Sequence, residues 1–159
     1  MTELTAKLAS SSTVEMTQLV MPTDASALGT AFGGRVLQWI DLAAAMAAMR
    51  HCRTPAVTAA IDQVAFLAPI HVGDVVVLRA QINAVFGSSM EIQVDVEAEQ
   101  PRSGERRRCC EAFVTFVALG DSGRPARAPI LLPQTEEEER RAREATQRRA
   151  ARLARRGRS

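Results

Sequence analysis

Residues 36–49, VLQWIDLAAAMAAM, are the longest apolar run in the chain, broken only by Gln38 and Asp41. Abundant alanine and the absence of proline favour helix over strand. At helical rise the run spans about 21 Å, short of the ~30 Å hydrocarbon core of a bilayer, so it is not read as a membrane span. A helix that is apolar nearly all round must be buried nearly all round. The rest of the chain therefore has to wrap it.

Beyond the run the apolar spacing changes to period two. Across residues 89–99, Met90, Ile92, Val94, Val96 and Ala98 alternate with Glu91, Gln93, Asp95, Glu97 and Glu99, the pattern of a half-buried antiparallel strand. Residues 74–86 and 106–119 read as two more long strands, with turn signals at 86–88 and 101–104. Residues 55–67 supply a strand ended by Pro69, and 13–20 a weaker one ahead of the helix. One helix inserted after the first strand and succeeded by a meander predicts an α+β architecture in which a strongly curved antiparallel sheet wraps a long central helix. The edges of such a sheet are commonly hidden by a second copy, so a homodimer is expected.

The 159 residues allow one ordinary core. The expected divisions are a disordered N-terminus at 1–11, the wrapped-helix domain at 12–122, a linker at 123–133 and a basic C-terminal helix at 134–159. That tail holds nine arginines and five glutamates, leaving the body slightly acidic. Glu136/Arg140, Glu137/Arg141, Glu139/Arg143 and Glu144/Arg148 all stand at i,i+4 with the acid first, as in a solvated helix. Its second half offers positive charge to a phosphate-bearing ligand, while the plainer reading is a surface helix that keeps the chain soluble. Aromatics are 4% of the chain and tyrosine is absent, which disfavours a nucleic-acid binder that stacks bases. Cys52, Cys109 and Cys110 cannot all pair within one chain and lack metal-ligand spacing, so no metal site and a reducing cytoplasmic setting are expected. The first residues have neither a basic start nor an apolar core, so no signal peptide is expected.

Asp41 is the first chemical candidate. A carboxylate within an apolar helix must be hydrogen-bonded or functional to offset its desolvation; an Asp that caps a neighbouring segment or points to a solvent gap is the structural alternative. Gly29, Gly33 and Gly34 frame Thr30, Ala31 and Phe32 and open the helix, where exposed N–H groups favour developing negative charge. Tight packing alone would also explain these glycines. Gly34 and Asp41 lie two turns apart on one face. The string at 120–125, GDSGRP, echoes a serine-protease motif but reads as a turn. His51 and His71 are assigned to the helix end and to a loop rather than to catalysis.

The segments at 21–48, 57–76, 85–99 and 112–119, above all the GxxFGG…WID pattern, resemble the hotdog-fold acyl-CoA thioesterases of the cytosolic acyl-CoA hydrolase group. The resemblance covers about residues 12–120 and implies a hotdog fold, homodimers assembled as trimers of dimers (a homohexamer), and hydrolysis of fatty acyl-CoA to free fatty acid and CoA. It places the catalytic carboxylate on Asp41, facing Ser26 of another subunit. Ser26 stands where the family commonly has asparagine, and a hydroxyl has shorter reach than an amide. It also implies that CoA lies along Ala59, Ala60 and Ile61, over Ser88, Ser89 and Met90, and near Arg148 or Arg149. No separate cofactor is implied, since CoA is part of substrate and product.

This chemistry needs no nucleophile triad, because a thiol with a pKa near ~8.5 leaves readily. Asp41 is expected to act as base, or to attack directly, while N–H groups near Gly34 polarise the thioester carbonyl. The acyl chain is expected in an apolar tunnel beside alanines 43, 44, 45, 47 and 48. Three alternatives are kept: a non-catalytic acyl-CoA sensor or assembly module; an enoyl-CoA hydratase, which the lack of a histidine soon after Asp41 disfavours; and a nucleic-acid protein acting through its arginine tail.

Overall fold

The computed structural model describes residues 5–158. Five strands, β2 (Val14–Leu19), β3 (Ala56–Phe66), β4 (Val75–Phe86), β5 (Ser89–Glu99) and β6 (Arg106–Ala118), form one antiparallel sheet in the order β2-β4-β5-β6-β3. Helix α1 (Gly33–Cys52) leaves the β2 edge and lies across one face, touching all five strands. The expected strand β5 appears with both ends as read, and its apolar set packs under α1 with no exposure.

Three expectations are revised. Of the segment expected to be disordered at 1–11, positions 1–4 lie outside the described residues, while β1 (Lys7–Leu8) and a 3-10 turn (Ala9–Ser11) are ordered. β1 pairs in parallel with β7 (Leu131–Leu132), which falls within the expected linker. Lys7 Nζ donates to the His51 carbonyl at 2.7 Å, satisfying one of the orphan acceptors at the helix C-terminus. Second, α1 is not enclosed: Leu42, Met46 and Met49 form an exposed stripe along it.

Third, the tail helix α2 (Glu136–Arg156) is anchored to the sheet face opposite α1. Arg148 reaches Glu91 at 2.7 Å and lies over the Phe113 ring at 3.7 Å, while Arg152 meets Asp62 at 3.0 Å. Of the four expected i,i+4 pairs only Glu137/Arg141 forms as drawn; Arg148 turns from Glu144 to the buried Glu91. A buried carboxylate attracts a guanidinium more strongly than a solvated one does. Residues 120–123 make the expected turn, with Gly123 at φ 76°.

Candidate active site

Helix α1 begins without a cap. Its N-cap residue, Phe32, supplies no side-chain acceptor, and among the described residues the N–H groups of Gly33 and Gly34 meet no hydrogen-bond partner. These are two of the orphan donors of a helix start. A Cβ at Gly34 would meet nothing within 4 Å, so packing within the chain does not require that glycine. The preceding loop is fixed from both sides: Asp24 pairs with Arg35 at 3.2 Å and receives the Met21 N–H, and Ser26 N–H donates to the Thr30 carbonyl. The Ser26 hydroxyl accepts the Leu28 N–H at 3.2 Å and is only partly buried.

Asp41 lies at the border between the buried face of α1 and its exposed stripe, and is half-buried rather than enclosed. Its Oδ1 accepts a hydrogen bond from Thr58 Oγ1 of β3 at 2.7 Å. Sequence reasoning missed Thr58: the residue stands 17 positions away on another element, and no periodicity or motif marks it. Along the axis Gly34 and Asp41 are about 10 Å apart, too far for both to act on one carbonyl within one chain.

The residues expected to line CoA divide between two places. Ala59, Ala60 and Ile61 occupy an irregular stretch of β3, between a register shift at Thr58/Ala60 and another at Asp62/Ala65. Gly87 and Ser88 form the β4–β5 turn, and Ser89 and Met90 open β5; the Met90 side chain is fully buried. Arg149 lies over Phe86, beside that turn, at 4.9 Å, and no carboxylate engages it among the described residues. Arg148, by contrast, is committed to Glu91.

Of the alanines expected to flank the acyl tunnel, Ala43, Ala44, Ala47 and Ala48 pack against the sheet with no exposure and leave no space on that face, while Ala45 is half-buried. Small side chains here let the helix approach the strands closely. An apolar cleft of about 440 Å³ lies instead at the α1 N-terminus, lined by Gly33, Val36, Phe66, Leu67 and Ile70 among others. Cys109 and Cys110 are poor nucleophiles: burial pushes the Cys110 thiol up to about 11, with Cys109 beside it adding to the shift, and raises Cys109 as well. His51 is buried, its Nδ1 2.8 Å from Ser12 Oγ and its Nε2 2.9 Å from the Pro129 carbonyl. His71 lies in the loop before β4, where its backbone N–H donates to the Asp74 carboxylate.

Residues 28–105 match the family model of the thioesterase superfamily. The chain is 43% identical over 127 residues to an uncharacterized acyl-CoA thioester hydrolase of Bacillus subtilis, covering 80% of this chain and 74% of that protein. It is 37% identical to the rat cytosolic acyl coenzyme A thioester hydrolase across 77% of its own length, yet spans only 33% of that longer protein. Among solved structures, an apo-hexameric acyl-CoA thioesterase superposes with a TM-score of 0.91 at 40% identity, covering 95% of this chain and 97% of the other. The acyl-CoA hydrolase of Staphylococcus aureus, in complex with butyryl coenzyme A, coenzyme A and coenzyme A disulfide, gives a TM-score of 0.88 at 34% identity over 95% of this chain and 92% of its own. Alanine variants of that enzyme replace an asparagine, an aspartate 15 residues later and a threonine 17 beyond it. Ser26, Asp41 and Thr58 stand at the same separations here.

Proposed function

Because the chain belongs to the thioesterase superfamily and is an acyl-CoA thioester hydrolase of the hotdog fold, we propose that it cleaves fatty acyl-CoA with Asp41 as general base, at a site shared by two protomers. The observation that carries this reading is the 2.7 Å hydrogen bond from Thr58 to Asp41, at the margin of an exposed apolar stripe. One carboxylate oxygen is held by the hydroxyl. The other is left to take a proton from water as the water oxygen bonds to the thioester carbon. The C–S bond then breaks, and the CoA thiolate leaves and recovers that proton.

The separation of Gly34 and Asp41 along α1 supports a site in which the oxyanion donors come from the second protomer. In this arrangement one subunit supplies Asp41 and Thr58. Its partner supplies the loop carrying Ser26 and the two orphan N–H groups beyond it, which oppose the charge developing on the carbonyl oxygen. Arg149, which no carboxylate engages among the described residues, lies beside the Gly87–Ser88 turn and is the cation that meets the CoA phosphates, with Ala59, Ala60 and Ile61 along the arm. The acyl chain takes the apolar cleft at the α1 N-terminus. Hexameric assembly and a cytoplasmic location belong to the same reading, supported by the relatives named hexameric and cytosolic.

The test is thiol release across acyl-CoA esters of increasing chain length. Wild type is expected to release thiol, and Asp41→Asn to lose at least a hundredfold in kcat, within the ~10²–10⁴ that a general base contributes, with its oligomer unchanged. Undiminished turnover in that variant would reassign the base. Ser26 in place of the family's asparagine favours a second reading, an acyl-CoA sensor. Tight binding of acyl-CoA without thiol release by wild type would establish it.

A further inference from the structure

Strand β3 faces two ways at once. In a regular strand alternate side chains share a face, so Thr58, Ala60 and Asp62 would all point to one side of the sheet. They do not. The register shift between Thr58 and Ala60 inserts one residue and reverses the phase of the strand. Thr58 pairs opposite Phe116, which is buried in the core on the α1 side, and bonds Asp41 there. Asp62 pairs opposite Phe113, over which Arg148 of α2 lies, and meets Arg152 at 3.0 Å. A second irregularity comes at Asp62/Ala65, where Gln63 takes a left-handed φ of 51°, a conformation that a non-glycine residue holds only when its surroundings enforce it.

The irregular stretch is therefore tied at both ends to opposite faces of the molecule. Among the described residues β3 is an edge strand bonded only to β6, so within the sheet its register rests on one neighbour. The Arg152 and Asp62 side chains are 13% and 20% exposed, and a pair so shielded from water is a stronger tether than a surface ion pair.

We propose that Arg152 is a positioning residue: by holding Asp62 on the outer face it fixes the phase of β3 and thereby keeps Thr58 aligned on Asp41 on the inner face. The C-terminal helix in this way sets the geometry of a carboxylate on the other side of the sheet. The inference rests on the Asp41 reading given above. Its consequence is energetic coupling between Arg152 and Thr58, which do not touch.

A double-mutant cycle on the full chain measures that coupling. Arg152→Gln is expected to lower kcat roughly tenfold when Thr58 is present and less than twofold in a Thr58→Ala background. Equal losses in both backgrounds, or none in either, would overturn the proposal, since a loosened helix alone gives additive effects. Asp62→Asn should reproduce the loss, and the exchanged pair Asp62→Arg with Arg152→Asp should recover most of it. Hydrogen exchange gives a readout independent of turnover: amides at 59–63 should exchange faster in Arg152→Gln while those of β5 keep their protection. Unchanged protection at 59–63 would also overturn it. Should wild type release no thiol from any acyl-CoA, the proposed function fails, and the exchange experiment still decides whether Arg152 holds the strand.

Discussion

Single residues in this chain are decided by what surrounds them more than by their type. His51 shows this. With the Pro129 carbonyl able only to accept, Nε2 carries the proton and bare Nδ1 takes the Ser12 hydroxyl. Burial pushes its pKa below 6.5, partly opposed by the bond to Pro129. The folded chain thus keeps His51 neutral while the unfolded chain protonates it below about pH 6.5. Stability contributed this way is complete above that pH and lost as the pH falls towards the folded value, by up to ~1.4 kcal/mol per pH unit. Urea midpoints between pH 7.5 and 5 should decline, and His51→Gln should flatten the decline; an unchanged slope would assign it to other groups. The sequence placed His51 at a helix end, but its two partners come from segments 39 and 78 residues away.

At the scale of elements, the strands were legible because period-two alternation is a local pattern. The outcome differs where tertiary neighbours intervene. Glu91 sits on the polar face of β5 and reads as solvated, yet it is 3% exposed because α2 covers it with Arg148. Removing one partner of a buried ion pair leaves the other charge uncompensated. Arg148→Ala should therefore cost about 3 kcal/mol, visible as a lower urea midpoint, and should free α2 for rapid cleavage by trypsin at its arginines. Loss of stability without faster cleavage would mean that Arg148 is not what holds the helix down. The tail pattern predicted a helix correctly; which of its arginines face solvent depends on where Asp62 of β3 and the buried Glu91 of β5 lie.

The whole molecule leaves apolar surface where a globular chain of this size would hide it. Leu42, Met46 and Met49 line the open side of α1 next to Asp41, and Val57 and Ile61 are exposed on the β3 edge. A protomer presenting both an open strand edge and an apolar stripe is built to pair. Replacing Leu42 and Met46 by lysine should leave the single chain folded, since both side chains are solvent-facing there, but should shift the assembly to smaller species and abolish turnover with it. Sedimentation velocity alongside thiol release tests this. An intact, active oligomer would move the shared site elsewhere.

The sequence by itself determined the helix, the five strands and their succession along the chain, and marked Asp41 as a candidate, since each is written in nearest-neighbour periodicity or in a motif of contiguous residues. Tertiary structure alone decided that Thr58 holds Asp41, that α2 is anchored through Arg148 and Arg152, and that an apolar cleft opens at the start of α1. Those features arise between segments distant along the chain. They depend on a one-residue shift in a strand, on which side of a sheet a carboxylate is sealed, and on how closely a helix can approach, and none of these quantities has a local signature.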